Sequence, residues 1–217
     1  MKPHCSNLRN QAVTLMDVMI ILCIICFLGM MLIPRLNVSQ KKAQKISCTS
    51  NLKQIMLSTK VWAGDHYDKY PTQASITNGG TMELMNSSEA WRAFQVMSNE
   101  LSTSYILYCP ADKTRTRITD FDDSLREHIS YFVNVDATGA APQSIVFGDS
   151  NFEFHKTNVP AGFFNLTSNS PPQWSSTRHA NFGNIALADG SVQSQTDKDL
   201  IQALTATSLA TNRIFIP

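Results

Sequence analysis

The chain has 217 residues, enough for one globular domain and an additional segment. Its 18 Lys and Arg and 17 Asp and Glu give a formal net charge of +1, and charged residues make up only 16% of the chain. This charge balance argues against a nucleic-acid-binding protein, which would carry a strongly basic surface.

An apolar run lies close to the start of the chain, behind a short polar and basic segment. From Val18 to Ile33 the sequence contains no charged residue, and Asp17 is the acid just before this run. At about 1.5 Å per residue, such a run crosses most of a hydrocarbon core about 30 Å thick. It also lacks the polar face that a core helix of a soluble protein normally has. We therefore predict a transmembrane helix over residues 13–36.

A second, amphipathic helix is predicted over residues 37–63, and we call it the stalk helix. Pro34 should kink the chain before it, and Gly64 and then Pro71 end its pattern. We expect the stalk helix to pack its apolar face on a globular head. The residues of that face recur at intervals of three and four and are Ile46, Leu52, Ile55, Met56, Thr59, Trp62 and Ala63.

The predicted head, residues 64–217, alternates short apolar runs with turn residues, a pattern typical of β-strands. Strands are predicted at residues 104–110, 130–135, 144–150 and 184–195. The last contains Asp189 and Gly190, which favour a tight hairpin turn. Short helices are predicted at residues 89–101 and 199–210, and a long loop at residues 154–177. The fold class is therefore α+β, with a long N-terminal helix packed on an antiparallel sheet.

The N-terminal segment resembles the signal of type IV prepilins. In that family a small residue precedes Phe-Thr-Leu-Ile-Glu, and the apolar helix that follows contains a proline. Here Ala12 precedes Val13-Thr-Leu-Met-Asp17, and Pro34 lies further along. The resemblance implies that residues 1–12 are a cytoplasmic leader peptide and that a prepilin peptidase cuts between Ala12 and Val13, before the apolar run, which stays as a single-pass anchor. It also implies a pilin-like fold and an extracytoplasmic head.

The basic residues conflict with that topology. Those after the apolar run outnumber those before it, and a count of positive charges alone would place the head in the cytoplasm. They are Arg35, Lys41, Lys42 and Lys45 after the run, and Lys2 and Arg9 before it. We give the prepilin-like order of segments more weight.

Asp17 needs a cation if it lies in lipid, because a lone carboxylate is costly there. It lies four residues after Val13, on the same helical face. The resemblance implies that the terminal amine of a neighbouring subunit pairs with Asp17 and sets the axial register of a filament. The alternative is an acid that rests at the headgroup boundary.

Short motifs along the rest of the chain resemble one pseudopilin subfamily, the type II secretion protein G-like proteins with an H-x9-D-G motif. They are Cys48-Thr-Ser-Asn51-Leu-Lys-Gln-Ile, Cys109-Pro-Ala-Asp112, Ser130-Tyr131, Gly148-Asp149-Ser-Asn151, and His179 followed nine residues later by Asp189-Gly190. The resemblance implies a structural pseudopilin of a type II secretion or type IV pilus-like filament in the bacterial inner membrane. Its partners would be the prepilin peptidase and other pseudopilin subunits, and it would not be an enzyme.

The cysteines allow one cross-link and suggest no metal site. Cys48 and Cys109 are the only cysteines after the anchor, and they could pair if that part lies outside the cytoplasm. Cys23 and Cys26 have the spacing of metal ligands, but they lie in the apolar run without further ligands. No cofactor is predicted.

Other activities remain open as alternatives. His179 with Asp149 and Asp189 would suit an anchored hydrolase, and Trp91 and Trp174 would suit a surface module that binds a glycan or peptide. Calcium is a further alternative, because some secretion pseudopilins bind it, and acidic residues gather at Asp112, Asp120, Asp122 and Asp123. We favour a structural role for the H-x9-D-G motif, in which His179 braces the hairpin at Asp189 and Gly190.

Overall fold

The structure, a computed structural model, describes residues 14–154, 156–207, 209 and 212–217, and for residues 31–38 it describes the backbone alone. The residues fall into two compact units, Met1–Lys42 and Ala43–Pro217. The helices are α1 Leu15–Gly64, α2 Arg92–Gln95, α3 Ser98–Leu101, α4 Ser176–His179 and α5 Asp197–Ala206. Short 3-10 helices span Ile76–Asn78, Met82–Leu84, Ser104–Leu107 and Asp123–His128.

The strands form a six-stranded sheet and a three-stranded sheet. They are β1 Tyr131–Asn134, β2 Ile145–Asp149, β3 Phe152–Phe154, β4 Thr157–Asn158, β5 Gly162–Leu166, β6 Gln173–Trp174, β7 Gly183–Leu187, β8 Val192–Gln195 and β9 Asn212–Ile216. The larger sheet has the order β5-β9-β1-β2-β7-β8, and all its neighbours are antiparallel. The predicted α+β class and antiparallel sheet are confirmed.

In the first unit, α1 begins with a capping box. The hydroxyl of Thr14 accepts a hydrogen bond from the Asp17 backbone N–H, and the Asp17 carboxylate accepts from the Thr14 N–H and hydroxyl. The helix continues through Pro34 without interruption, so the predicted transmembrane and stalk segments belong to one helix. Among the residues that the structure describes, no helix is both long and apolar enough to cross a membrane.

In the second unit, α1 packs one face on the head, as its apolar periodicity predicts. Leu52, Ile55 and Met56 are fully buried, while Ile46, predicted for the same face, is 61% exposed. Cys48 takes the buried position instead. Leu52 and Ile55 share a core with Tyr131, Val133 and other residues of one face of the larger sheet.

A second core lies on the other face of the larger sheet. Because successive strand residues point to opposite faces, Phe132 joins this second core, with Ile145 of β2 and Leu200 of α5. Gly148 lies opposite Phe132 in the sheet, and a Cβ there would come within 2.6 Å of the Phe132 ring. Glycine is therefore required at the position just before Asp149.

Three predicted elements of the head are wrong or incomplete. The predicted strand at residues 104–110 contains the 3-10 helix Ser104–Leu107, which starts where Thr103 accepts a hydrogen bond from the Tyr105 N–H. The predicted loop at residues 154–177 contains β4, β5 and β6, because β5 pairs along its length with the distant β9. The predicted helix at residues 89–101 is divided into α2 and α3.

Candidate functional site

A disulfide between Cys48 and Cys109 links α1 to the rest of the head. The two residues lie 61 positions apart in sequence, their Cα atoms are 5.3 Å apart, and both are fully buried. One turn further along α1, the amide of Asn51 donates to the Tyr108 carbonyl at 3.0 Å and to the Tyr131 hydroxyl at 3.3 Å. Cys48 and Asn51 therefore fix the same stretch of helix to two segments of the head.

His179 lies against this disulfide at the end of α4. Its side chain is 1% exposed, and its Nε2 atom lies 3.4 Å from Cys109 Sγ and 3.7 Å from Asp149 Oδ2. Burial lowers the pKa of His179 more than the Asp149 carboxylate raises it. Burial also raises the pKa of Asp149 against the opposing effects of His179 and Arg178. Both shifts favour the uncharged forms, because burial penalises the charge on each group.

Asp149 connects two strands and α1. Its Oδ2 atom accepts hydrogen bonds from the backbone N–H of Asn184 at 2.8 Å and from the Asn184 side-chain amide at 2.7 Å. The side-chain oxygen of Asn184, Oδ1, in turn accepts a hydrogen bond from the Thr49 hydroxyl at 3.1 Å. The Oδ1 atom of Asp149 is buried and has no hydrogen-bond partner within the described part of the chain.

A buried ion pair lies next to these contacts. Arg178 Nη2 is 2.5 Å from Asp112 Oδ2, and Nη1 donates to the Ser130 carbonyl at 2.9 Å and to the Ser150 hydroxyl at 3.2 Å. The Asp112 carboxylate also accepts hydrogen bonds from the Ser130 hydroxyl and from Thr114. Burial by itself raises the pKa of Asp112, but Arg178 and these hydrogen bonds hold the pKa below its ordinary value.

The motif residues that lie far apart in sequence therefore meet in one place, which we call the polar cluster. It consists of Asp112, Ser130, Asp149, Arg178, His179 and Asn184 beside the Cys48–Cys109 disulfide. Asn151, another motif residue, donates to the Ser175 and Phe182 carbonyls on either side of α4. The motifs thus supply mutually bonded groups that join α1, the sheet and α4.

No family model, curated protein or solved structure matches the chain. Its function must be inferred from the motifs and from the geometry of the polar cluster.

The other end of the H-x9-D-G motif has a different role. Residues 188–191 connect β7 to β8, and in this loop the Gly190 N–H donates to the Leu187 carbonyl and the Leu187 N–H donates to the Ser191 carbonyl. The tight turn predicted at Asp189 and Gly190 is present, but it is not a two-residue turn. Of these two residues only Gly190 has a positive φ, of 99°, while the Asp189 carboxylate accepts from the Ser191 N–H. This arrangement is typical of a type I turn followed by a bulge.

His179 does not brace that hairpin in the way the sequence suggested. The loop instead contacts α1, where Lys60 Nζ donates to the Asp189 carbonyl at 2.7 Å. The two ends of the motif therefore make different contacts. His179 contacts Cys109 and Asp149, whereas Asp189 contacts Lys60 of α1.

Several other predicted site residues are not brought together. Trp91 and Trp174 are each 2% exposed and pack in the cores, so neither offers a surface for a glycan. The acidic residues proposed for calcium have separate partners: Asp112 binds Arg178, Asp123 binds Arg92, and Asp122 caps a 3-10 helix. Ala12 and Val13 lie outside the described residues.

Among the described residues, one group of three potential metal ligands has its ligand atoms within 4.8 Å of one another. It consists of Cys48, Cys109 and His179, and the two cysteines are joined as a disulfide. The sequence did not predict this set. It also gave no prediction for Arg178 and Asn184, which belong to none of the motifs, or for Thr49, which occupies a variable position of the first motif. The one sequence feature that could have indicated any of these residues is that Arg178 directly precedes the motif residue His179.

Acid should destabilise the head through Asp112. Because the pKa of Asp112 is lowered in the folded state, its ionised form contributes stability that is complete above about pH 4 and is lost as the pH falls below that value. We expect the free energy of unfolding, measured by urea denaturation between pH 7 and pH 3, to fall more steeply in the parent than in Asp112→Asn. Asp120→Asn, at an exposed residue that accepts from Thr119, is the matched control. Equal slopes for the parent and Asp112→Asn would contradict this role.

Proposed function

We propose that the chain is a structural pseudopilin-like subunit of a type II secretion or type IV pilus-like filament, processed by a prepilin peptidase. The observation that best supports the proposal is the character of α1. Its first half carries large apolar side chains in exposed positions, and its second half is part of the core of an α+β head. The second half of such a helix is stabilised by packing on the head, and its first half needs an apolar environment to cover its side chains.

The exposed apolar side chains of the first unit form a nearly continuous series. They include Leu15, Met16, Val18, Met19, Ile20, Ile21, Leu22, Ile24, Ile25, Phe27, Leu28 and Met30. Contiguous apolar surface of this extent is rare on a soluble monomer and marks contact with a membrane or another protein. In the proposed function, the inner membrane covers this surface before assembly and neighbouring subunits cover it afterwards.

The disulfide supports an extracytoplasmic head. Structural disulfides form and persist in oxidising compartments and are rare in the cytoplasm. Cys48 and Cys109 are paired, and the free cysteines that the structure describes, Cys23 and Cys26, lie in the first unit. This distribution fits a head that is exported while the preceding helix stays in the membrane.

The polar cluster supports a structural role and not a catalytic one. The ring of His179 is buried, and its Nε2 atom faces a disulfide sulfur, which is no nucleophile. The tryptophans proposed for a binding module are buried as well, so the proposed base of a hydrolase and the proposed contacts of a binding module are all inaccessible.

The proposed function is tested by determining the N-terminal residue of the mature chain. In cells that contain a prepilin peptidase, mass spectrometry should find a chain that begins at Val13, with or without an N-methyl group. Ala12→Arg should block cleavage, because a large charged residue replaces the small one, whereas Ala12→Gly should be cut at least as completely as the parent. An anchored hydrolase or binding module would keep its first twelve residues. An intact N-terminus in the presence of the peptidase would therefore refute the proposal.

A second test separates the two roles of Asp17. Its carboxylate caps α1 through Thr14, and in the proposed filament it also pairs with the amine of a neighbouring subunit. Asp17→Asn keeps a hydrogen-bond acceptor for the cap but removes the charge. We expect its insertion into membranes to be unchanged and its incorporation into filaments, measured in sheared filament fractions, to fall at least tenfold. Asp17→Glu is the charge-retaining control, and normal assembly of Asp17→Asn would show that the cap alone matters.

A further inference from the structure

The centre of the polar cluster contains three atoms that could bind a metal ion. Cys48 Sγ, Cys109 Sγ and His179 Nε2 lie within 4.8 Å of one another, and all three residues are buried. In the disulfide form this site is blocked, because zinc-type sites need thiolates and the two sulfurs are bonded to each other. The question is therefore what the same atoms do when the disulfide is reduced.

Reduction supplies the missing ligands with balanced chemistry. A dithiol reductant gives two electrons and two protons to the Cys48–Cys109 bond and becomes a disulfide itself, leaving two thiols. A metal ion that then binds both sulfurs releases the two thiol protons to solvent, because the thiolate is the ligand. No oxidant or other co-reactant is needed.

The distance between one sulfur and the His179 ring is close to that of a tetrahedral site. With metal–sulfur bonds of about 2.3 Å and metal–nitrogen bonds of about 2.0 Å, neighbouring S and N ligands lie about 3.5 Å apart. The observed separation between Cys109 Sγ and His179 Nε2 is 3.4 Å. After reduction, the two sulfurs need to move apart to about 3.8 Å.

Asp149 is not a fourth ligand in this arrangement. Among the described residues, the ligand atoms that lie within 4.8 Å of one another are those of Cys48, Cys109 and His179. Asp149 Oδ2 lies 3.7 Å from His179 Nε2 but accepts hydrogen bonds from two donors of Asn184. Three protein ligands leave the fourth position of a tetrahedral site to water.

We propose that the reduced chain binds one thiophilic divalent metal ion, such as Zn²⁺, through Cys48, Cys109 and His179, with water in the fourth position. Metal ion and disulfide exclude each other, because they use the same two sulfurs. A disulfide oxidant that takes two electrons from the bound thiolates and two protons from solvent becomes two thiols, re-forms the Cys48–Cys109 bond and releases the ion. The redox state of the chain thus selects which of two cross-links joins α1 to the segment containing Cys109. This inference does not depend on the proposed filament function.

The experiment uses the full chain with Cys5→Ser, Cys23→Ser and Cys26→Ser, so that Cys48 and Cys109 are its only cysteines. The protein is reduced with dithiothreitol, freed of reductant without oxygen, and titrated with Co²⁺. A thiolate-to-cobalt charge-transfer band should rise and saturate at one equivalent. The oxidised protein should give no band. A reduced parent without a saturating band would overturn the proposal.

A variant tests the histidine ligand. His179→Gln should weaken Co²⁺ binding at least about tenfold, the usual effect of disturbing a metal site. Equal binding by the parent and His179→Gln would show that the two thiols bind metal by themselves, and would overturn the site. Zn²⁺ should also raise the Tm of the reduced parent and leave the oxidised protein unchanged. A reduced parent whose melting does not respond to Zn²⁺ would likewise refute the proposal.

Discussion

Replacing both Cys48 and Cys109 by alanine should lower the free energy of unfolding of the head by about 4 kcal/mol. The disulfide closes a loop spanning 61 positions, and in the chain-entropy account a loop of that size restricts the unfolded chain by about this amount. Urea denaturation at neutral pH, under oxidising conditions, measures the difference. Alanine keeps both positions apolar, which suits their full burial.

The matched control is Cys23→Ala with Cys26→Ala, at exposed cysteines that are free in the structure. It should leave the unfolding of the head unchanged. Dithiothreitol with a chelator should destabilise the parent by an amount similar to the double substitution and should have no effect on the double variant. A loss below about 1 kcal/mol for the double variant would mean that the packing of α1, and not the cross-link, holds this helix on the head.

Arg178→Met should destabilise the head by about 3–5 kcal/mol, because it leaves a buried carboxylate without its cation. Asp112 is 1% exposed, and Arg178 is the cation that contacts it. Arg178 also satisfies the Ser130 carbonyl. Guanidinium denaturation at pH 7 should show the effect as a lower midpoint.

Two further variants test whether charge is the cause. Adding Asp112→Asn to Arg178→Met should recover part of the loss, since no uncompensated charge then remains. Arg92→Met removes a cation from Glu89 and from the largely exposed Asp123, and should cost less than about 1 kcal/mol. If Arg178→Met and the double variant unfold at the same midpoint, lost packing and hydrogen bonds account for the effect and the ion pair does not.

The sequence predicted the elements whose periodicity is local. The buried face of α1 follows its spacing of three and four, and the β7–β8 hairpin follows the alternation around Asp189 and Gly190. The strand β5 was missed because it lies in a stretch rich in Pro, Asn and Ser and because its partner, β9, begins about fifty residues later. Strand formation there depends on long-range pairing and not on local propensity.

The candidate site was predicted in part. The motifs named Cys109, Asp149 and His179 but gave no reason for these residues to touch. Their contacts depend on residues that carry no sequence signal, above all Asn184, which binds Asp149 and also accepts from Thr49 on α1. Single polar residues become recognisable as partners only when tertiary structure places them together.

The position of the disulfide also determines how the head bears mechanical load. Cys48 lies five residues after Ala43, where the second compact unit begins. Tension that enters along α1 from its N-terminal side therefore passes through the sulfur–sulfur bond to Cys109, and the chain between the two cysteines carries none of it. At about 3.3 Å per residue, roughly 200 Å of chain cannot be pulled out while that bond is intact. The cross-link makes this part of the protein nearly inextensible under tension.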